Sequence, residues 1–174
     1  ICRSCYQKAT GKNSRIEKVW SDYLDEHLGT EGLLASDKSL RSQGGCQLYR
    51  PDKIYTDVHR TEIHECDENQ HGYRNGSYAC DERRNSEMYE EDGICGTNMC
   101  VLRWNPDSYD PPDGVKRVCK KDRLGIHVAL AKKLRGEIHA EKIHVYYMFY
   151  SADNERIAQN LPHTMIYTMD DVTC

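Results

Sequence analysis

Nine cysteines, Cys2, Cys5, Cys46, Cys66, Cys80, Cys95, Cys100, Cys119 and Cys174, are dispersed over the whole chain, and their spacing limits the fold more than any other feature. Zinc sites draw on close pairs such as C-x2-C, repeated or followed by paired histidines. Only Cys2 and Cys5 have that spacing, and no second pair follows. The pattern reads as a disulfide framework, which forms and persists in oxidising compartments. The expectation is one secreted, disulfide-stabilised domain over residues 1–174, with no metal and no cofactor. An odd count leaves one thiol unpaired in a monomer, or free to link a dimer. The pairing itself stays open, since eight cysteines alone allow on the order of a hundred connectivities. The start at Ile1, just before Cys2, reads as a processed N-terminus, and Asn75-Gly76-Ser77 as a glycosylation sequon.

Cross-links matter because the apolar core is thin. Mean hydropathy is -0.83, 30% of the residues are charged, and 12 Tyr and 2 Trp accompany a single Phe. Aromatic packing must therefore use rings with a polar tip. Net charge is -4, and the basic residues fall in scattered pairs such as Arg83-Arg84, Lys120-Lys121 and Lys132-Lys133. That lacks the basic stripe of a nucleic-acid binder. No apolar run is long enough to span a bilayer, and no basic amphipathic segment suits a membrane surface.

Periodicity predicts two main helices. Residues 14–28 open with Ser14 and Glu17 as a capping box, carry Ile16, Val19, Trp20, Tyr23, Leu24 and Leu28 on one stripe, and stop at Gly29. Residues 122–135 start at Asp122 and align Leu124, Val128, Ala131 and Leu134, with Gly136 as the stop. Strands are predicted over 53–63, 100–104, 143–150 and 163–169, with 143–150 central because both of its faces are apolar. Residues 65–92 are polar and read as loops held by cysteines. The economical arrangement is α+β: an antiparallel sheet packed against two helices, with disulfide-stapled loops.

Two groups of residues could carry chemistry. The run 59–68 holds His59, Glu62, His64, Glu65, Asp67 and Glu68. On a strand His59 and His64 point to opposite faces, so the run reads as a solvated strand end and not a shared metal site. Further on, Glu137, His139, Glu141 and His144 place carboxylates beside imidazoles, the parts of acid–base catalysis. Glu137, Arg156 and His163-Thr164, with the helix 14–28, Cys2 or Cys5, and Cys174, resemble the outline of small secreted fungal ribonucleases specific for guanine. That resemblance implies Glu137, Arg156 and His163 as catalytic residues and a bridge from Cys174 to the N-terminal cysteines. It is the alternative reading.

No Gly-rich phosphate loop, nucleophile elbow or His-Glu-x-x-His helix is present in the sequence, so no catalytic site is evident. A processed N-terminus, many dispersed cysteines, a thin core and no enzyme motif together resemble the small cysteine-rich effectors secreted by filamentous, notably fungal, plant pathogens. The resemblance implies binding to a host protein, recognition by a host immune receptor and a virulence role. The expected binding surface is the loop-rich middle, 66–113, where Tyr73, Tyr78, Tyr89, Trp104 and Tyr109 would serve as ring anchors.

Overall fold

A computed structural model describes residues 15–37, 49–57, 59–68, 79–91, 98–111, 113–135, 137, 143–151 and 164–167, with only the backbone described at 15, 79, 80, 82, 91 and 164–167. Helix α1, Arg15–Leu28, follows the predicted stripe. Trp20, Leu24 and Leu28 are buried, and Ile16 and Tyr23 pack on the same cluster. Gly29 ends it at φ 74°, donating its N–H to the Asp25 carbonyl at 3.2 Å. A left-handed residue after a helix is a position glycine takes without a Cβ clash. The predicted cap, Ser14, lies outside the described residues.

Six strands follow: β1 Leu33–Ser36, β2 Lys53–Thr56, β3 Arg60–Cys66, β4 Asn98–Trp104, β5 Ile143–Met148 and β6 Thr164–Tyr167. They lie side by side in chain order. The first two pairings are antiparallel and the next three parallel. The sheet is therefore mixed and not antiparallel, which corrects the sequence expectation. Parallel neighbours need a crossover, and helices α2, Ala79–Glu91, and α3, Lys120–Arg135, supply two of them.

Helix α2 corrects the reading of 65–92 as loops. It buries Asp81, Asn85, Met88 and Tyr89 and carries an Arg83–Glu87 ion pair at 2.7 Å one turn apart. So few apolar residues leave no stripe to read, and contact with the sheet supplies the stability that the local sequence lacks. The single strand expected over 53–63 is a hairpin. Asp57 Oδ1 accepts from the backbone N–H groups of His59 at 2.7 Å and Arg60 at 2.9 Å, and this Asx turn sends the chain back on itself. Val58 is outside the described residues.

The sheet has two covered faces. On one, Tyr55, Cys100, Leu102, Trp104, Tyr146 and Met148 pack against α1 and α3. On the other, Ile54, Ile63, Met99, Val101, Val145 and Tyr147 meet Met88 and Tyr89 of α2. Because β3, β4 and β5 advance in one direction while α2 and α3 cover opposite faces, the two crossovers have opposite hands, against the usual right-handed rule. The predicted central place of β5, between β4 and β6, holds.

Disulfide stapling fails at three of the proposed positions. Cys66, Cys100 and Cys119 are free thiols. Cys100 is sealed inside β4 under the helices, Cys66 ends β3, and Cys119 is exposed ahead of α3. None of these places has a second cysteine against it among the described residues. Cys2, Cys5, Cys46, Cys95 and Cys174 lie outside those residues, and only the backbone of Cys80 lies within them. Among the described residues no helix is long and apolar enough to cross a membrane.

Candidate functional site

Strand alternation places Arg60, Glu62 and His64 of β3 on the face covered by α1 and α3. All three are buried, and so is His127 of α3. The imidazoles stack with centroids 5.1 Å apart, and His64 Nδ1 lies 2.8 Å from His127 Nε2. Glu62 Oε2 is 3.5 Å from His64 Nε2, long for a hydrogen bond but close enough to favour a hydrogen on that nitrogen. His64 Nδ1 then accepts, and His127 Nε2–H donates to it. The chain of donors points at Glu62 and ends at His127 Nδ1, a buried atom with no partner among the described residues.

The surroundings hold this relay neutral at its rings and charged at its end. Burial lowers the His64 pKa, with Glu62 working the other way. Burial and the neighbouring His64 lower that of His127 well below the ordinary histidine value. Burial would raise the Glu62 carboxyl, but His64, Arg135 and Arg60 outweigh it and keep the group below its usual range. Arg135 Nε donates to Glu62 at 3.0 Å, and Arg60 Nε lies 3.3 Å away. Tyr55 and Trp20 set their rings edge-on to His64 and His127. This corrects the reading of 59–68 as solvated: only His59, in the hairpin turn, is exposed. The alternation that separates His59 from His64 also puts Arg60, Glu62 and His64 on one face, and that was the signal to follow.

The opposite face holds a different cluster. Arg103 of β4 grips Asp67 with Nε at 2.6 Å and Nη2 at 2.9 Å, and Asp81 of α2 lies 3.5 Å from Nη1. Tyr150 donates its hydroxyl to Asp67 as well. Burial opposes the guanidinium charge, but Asp67, Tyr150 and Asp81 more than restore it. Nearby, Arg84 pairs with Glu65 at 2.7 Å, and Tyr49 donates to Glu87.

The carboxyl ends of parallel strands are the usual ligand position in open sheets. Here the chain fills that position itself. The Arg123 guanidinium lies over Trp104, Tyr109 and Phe149 at 5.4 to 5.9 Å from the ring centroids. Its Nη1 donates to the carbonyls of Asn105 and Asp107, both at 2.8 Å. Phe149 adopts φ 63°, a strained conformation for a bulky residue, and its carbonyl accepts from Asn105 Nδ2 at 2.7 Å.

Trp104 and Tyr109 are therefore core residues, as is Tyr89 of α2. They are not exposed anchors, because the sheet faces needed their rings. Tyr73 and Tyr78 lie outside the described residues, as do Arg156 and His163. Glu137 is exposed just after α3, its N–H on the Leu134 carbonyl at 3.1 Å, and so does not stand on a strand of the sheet as the ribonuclease outline requires. His144 is buried on β5, stacked on Tyr146.

Two hollows lie beside α1 and α3. A groove of about 610 Å³ is lined by Tyr23, Lys121, Leu124, Gly125, Ile126 and Ala129, among others. A hollow of about 210 Å³ adjoins it through Leu124 and is walled by Ile16, Val19, Trp20, Trp104 and Lys120. Val19 is 53% exposed. The indole N–H groups of Trp20 and Trp104 are buried without partners among the described residues. Periodicity located both helices, but it could not show that their stripes leave a gap. Comparison of this chain with family models, curated proteins and solved structures gave no match.

Proposed function

We propose that this chain is a secreted interaction protein of the effector type, binding a host protein through the α1–α3 groove and open to recognition by a host immune receptor. The observation that carries the reading is the groove itself. It is an apolar channel, adjoined by the hollow where Val19 is half exposed. Lys120 and Lys121 stand exposed at its edge. The matching ligand is an amphipathic helix or extended segment with apolar anchors and acidic flanks, a recurring mode of peptide recognition. Dispersed cysteines support secretion, and with three of the nine thiols free, six cysteines are left for cross-links.

The test is an amide chemical-shift titration with a synthetic helix bearing Leu at positions i, i+4 and i+7 between Glu residues. Shifts should concentrate at Val19, Tyr23, Leu124 and Ile126. Val19→Asp and Ala129→Arg, both on exposed positions, should weaken binding at least about tenfold, since each buries a charge against apolar surface, with little change in thermal midpoint. Shifts confined to α2, or none at all, would refute the groove. RNA hydrolysis abolished by His163→Ala would replace the proposal with the ribonuclease alternative.

A further inference from the structure

We propose that the His64–His127 pair is a proton-operated latch, holding the α1–α3 layer on the sheet while both rings are neutral and releasing it on acidification. The geometry supports this in three ways. The two rings join β3 to α3 at 2.8 Å in a fully buried interface, beside the Glu62–Arg135 ion pair that links the same two elements. With the hydrogen of His64 on Nε2, the nitrogen nearest Glu62, the open nitrogen of the pair is His127 Nδ1, where no acceptor among the described residues meets a further proton. That ring lies edge-on to Trp20 of α1, centroids 6.0 Å apart, so a new charge arises where both helices meet the sheet.

The charged and titratable groups around the pair do not neutralise such a proton. Glu62 on β3 is already engaged by Arg60 and Arg135. Lys53 on β2 is tied to Asp25 of α1 at 2.6 Å, and adds positive charge on the His64 side. Tyr55 on β2 is pushed up to about 12 by burial and by Asp25, and Cys100 on β4 to about 12 by burial. Both are neutral across the relevant range. His144 on β5 is a further imidazole on this face. A second cation among these groups has no anion left to take it.

The sign follows from linkage. Histidines held neutral in the fold bind fewer protons than in the unfolded chain, whose imidazoles titrate near pH ~6.5. Stability therefore falls as pH drops below that value. From pH 7.5 to 5.5 a ring that stays neutral in the fold lowers the folding constant about tenfold, and the pair up to about a hundredfold. Glu62, held below its usual range, acts only at lower pH. Asp52, raised by burial and by Glu65, acts in the opposite direction, so the histidine contribution must be isolated by substitution.

Urea unfolding of the intact chain at pH 7.5, 6.5 and 5.5 reads the effect. His127→Gln should leave about a tenfold pH dependence, and His64→Gln with His127→Gln nearly none beyond the common background. A double variant that keeps the full dependence would overturn the latch. If the variants do not fold, nitrogen-15 spectra of the unaltered protein decide: both rings neutral with hydrogen on Nε2 at pH 6.5 supports it, and either ring charged overturns it. Hydrogen exchange separates a latch from general acid sensitivity. Amides of Leu124 and Val128 should lose protection on acidification before those of Asn85 and Met88, and equal loss in both helices would reduce the pair to a global effect and sink the proposal.

Discussion

The two faces of the sheet bury polar groups equally well and by different chemistry. Under α2, Arg103 and Asp67 are permanent ions in a two-pronged grip, reinforced by Tyr150 and Asp81. Under α1 and α3, the Glu62–Arg135 and Lys53–Asp25 ion pairs are accompanied by two imidazoles, neutral in the fold and open-ended at His127 Nδ1. A buried ion pair resists change until one partner is removed, and then the remaining charge is stranded. A neutral imidazole pair costs less to bury, yet a single proton changes its character. One face is built to stay as it is, and the other can respond to the medium.

Thiol chemistry should give the largest contrast. Cys119 is exposed, whereas Cys100 is sealed beneath α3 with its thiol pushed up to about 12 by burial. At pH 8 about one Cys100 thiol in ten thousand is ionised, and the thiolate is the reactive form. Alkylation of the unreduced folded protein, followed by peptide mass analysis, should label Cys119 readily and Cys100 only when the α1–α3 layer opens. Equal rates would show that the face is loosely packed. The same measurement counts cross-links: the expected three disulfides require all six remaining cysteines, including a bond from Cys174 to Cys2 or Cys5.

Removing one ion should cost more than removing one imidazole. Asp67→Asn leaves the buried Arg103 guanidinium only Asp81, at 3.5 Å, as its counter-ion, and should destabilise the fold by about 3 kcal/mol. His127→Leu fills similar space and leaves only His64 Nδ1 without its donor, so about 1 to 3 kcal/mol is expected. Urea midpoints at pH 7.5 give both values. A larger loss for His127→Leu would reverse the comparison.

The smallest effect should come from the hairpin that feeds both faces. Asp57→Ala removes the side-chain oxygen that accepts two backbone hydrogen bonds in the turn, worth about 1 kcal/mol. It should lower stability without altering its pH dependence between 7.5 and 5.5, and a changed dependence would mean that the turn couples to the histidines.

Local pattern was enough for the apolar stripes of α1 and α3, the glycine that ends α1, and the central place of β5, because periodicity and end signals act over a few residues. The buried relay was also present in the alternation of Arg60, Glu62 and His64, although charge density there suggested solvent. Partner identity was out of reach: His127 stands 63 residues from His64, and nothing local joins them. Helix α2 carried no readable stripe, since its stability comes from the sheet. Strand direction followed from which connections became crossovers. The fate of Trp104, Tyr109 and Tyr89 followed from how much ring the two faces needed. Sequence determined which segments could be helix or strand, while only tertiary packing decided what was buried and against what, because burial is settled by neighbours distant in the chain.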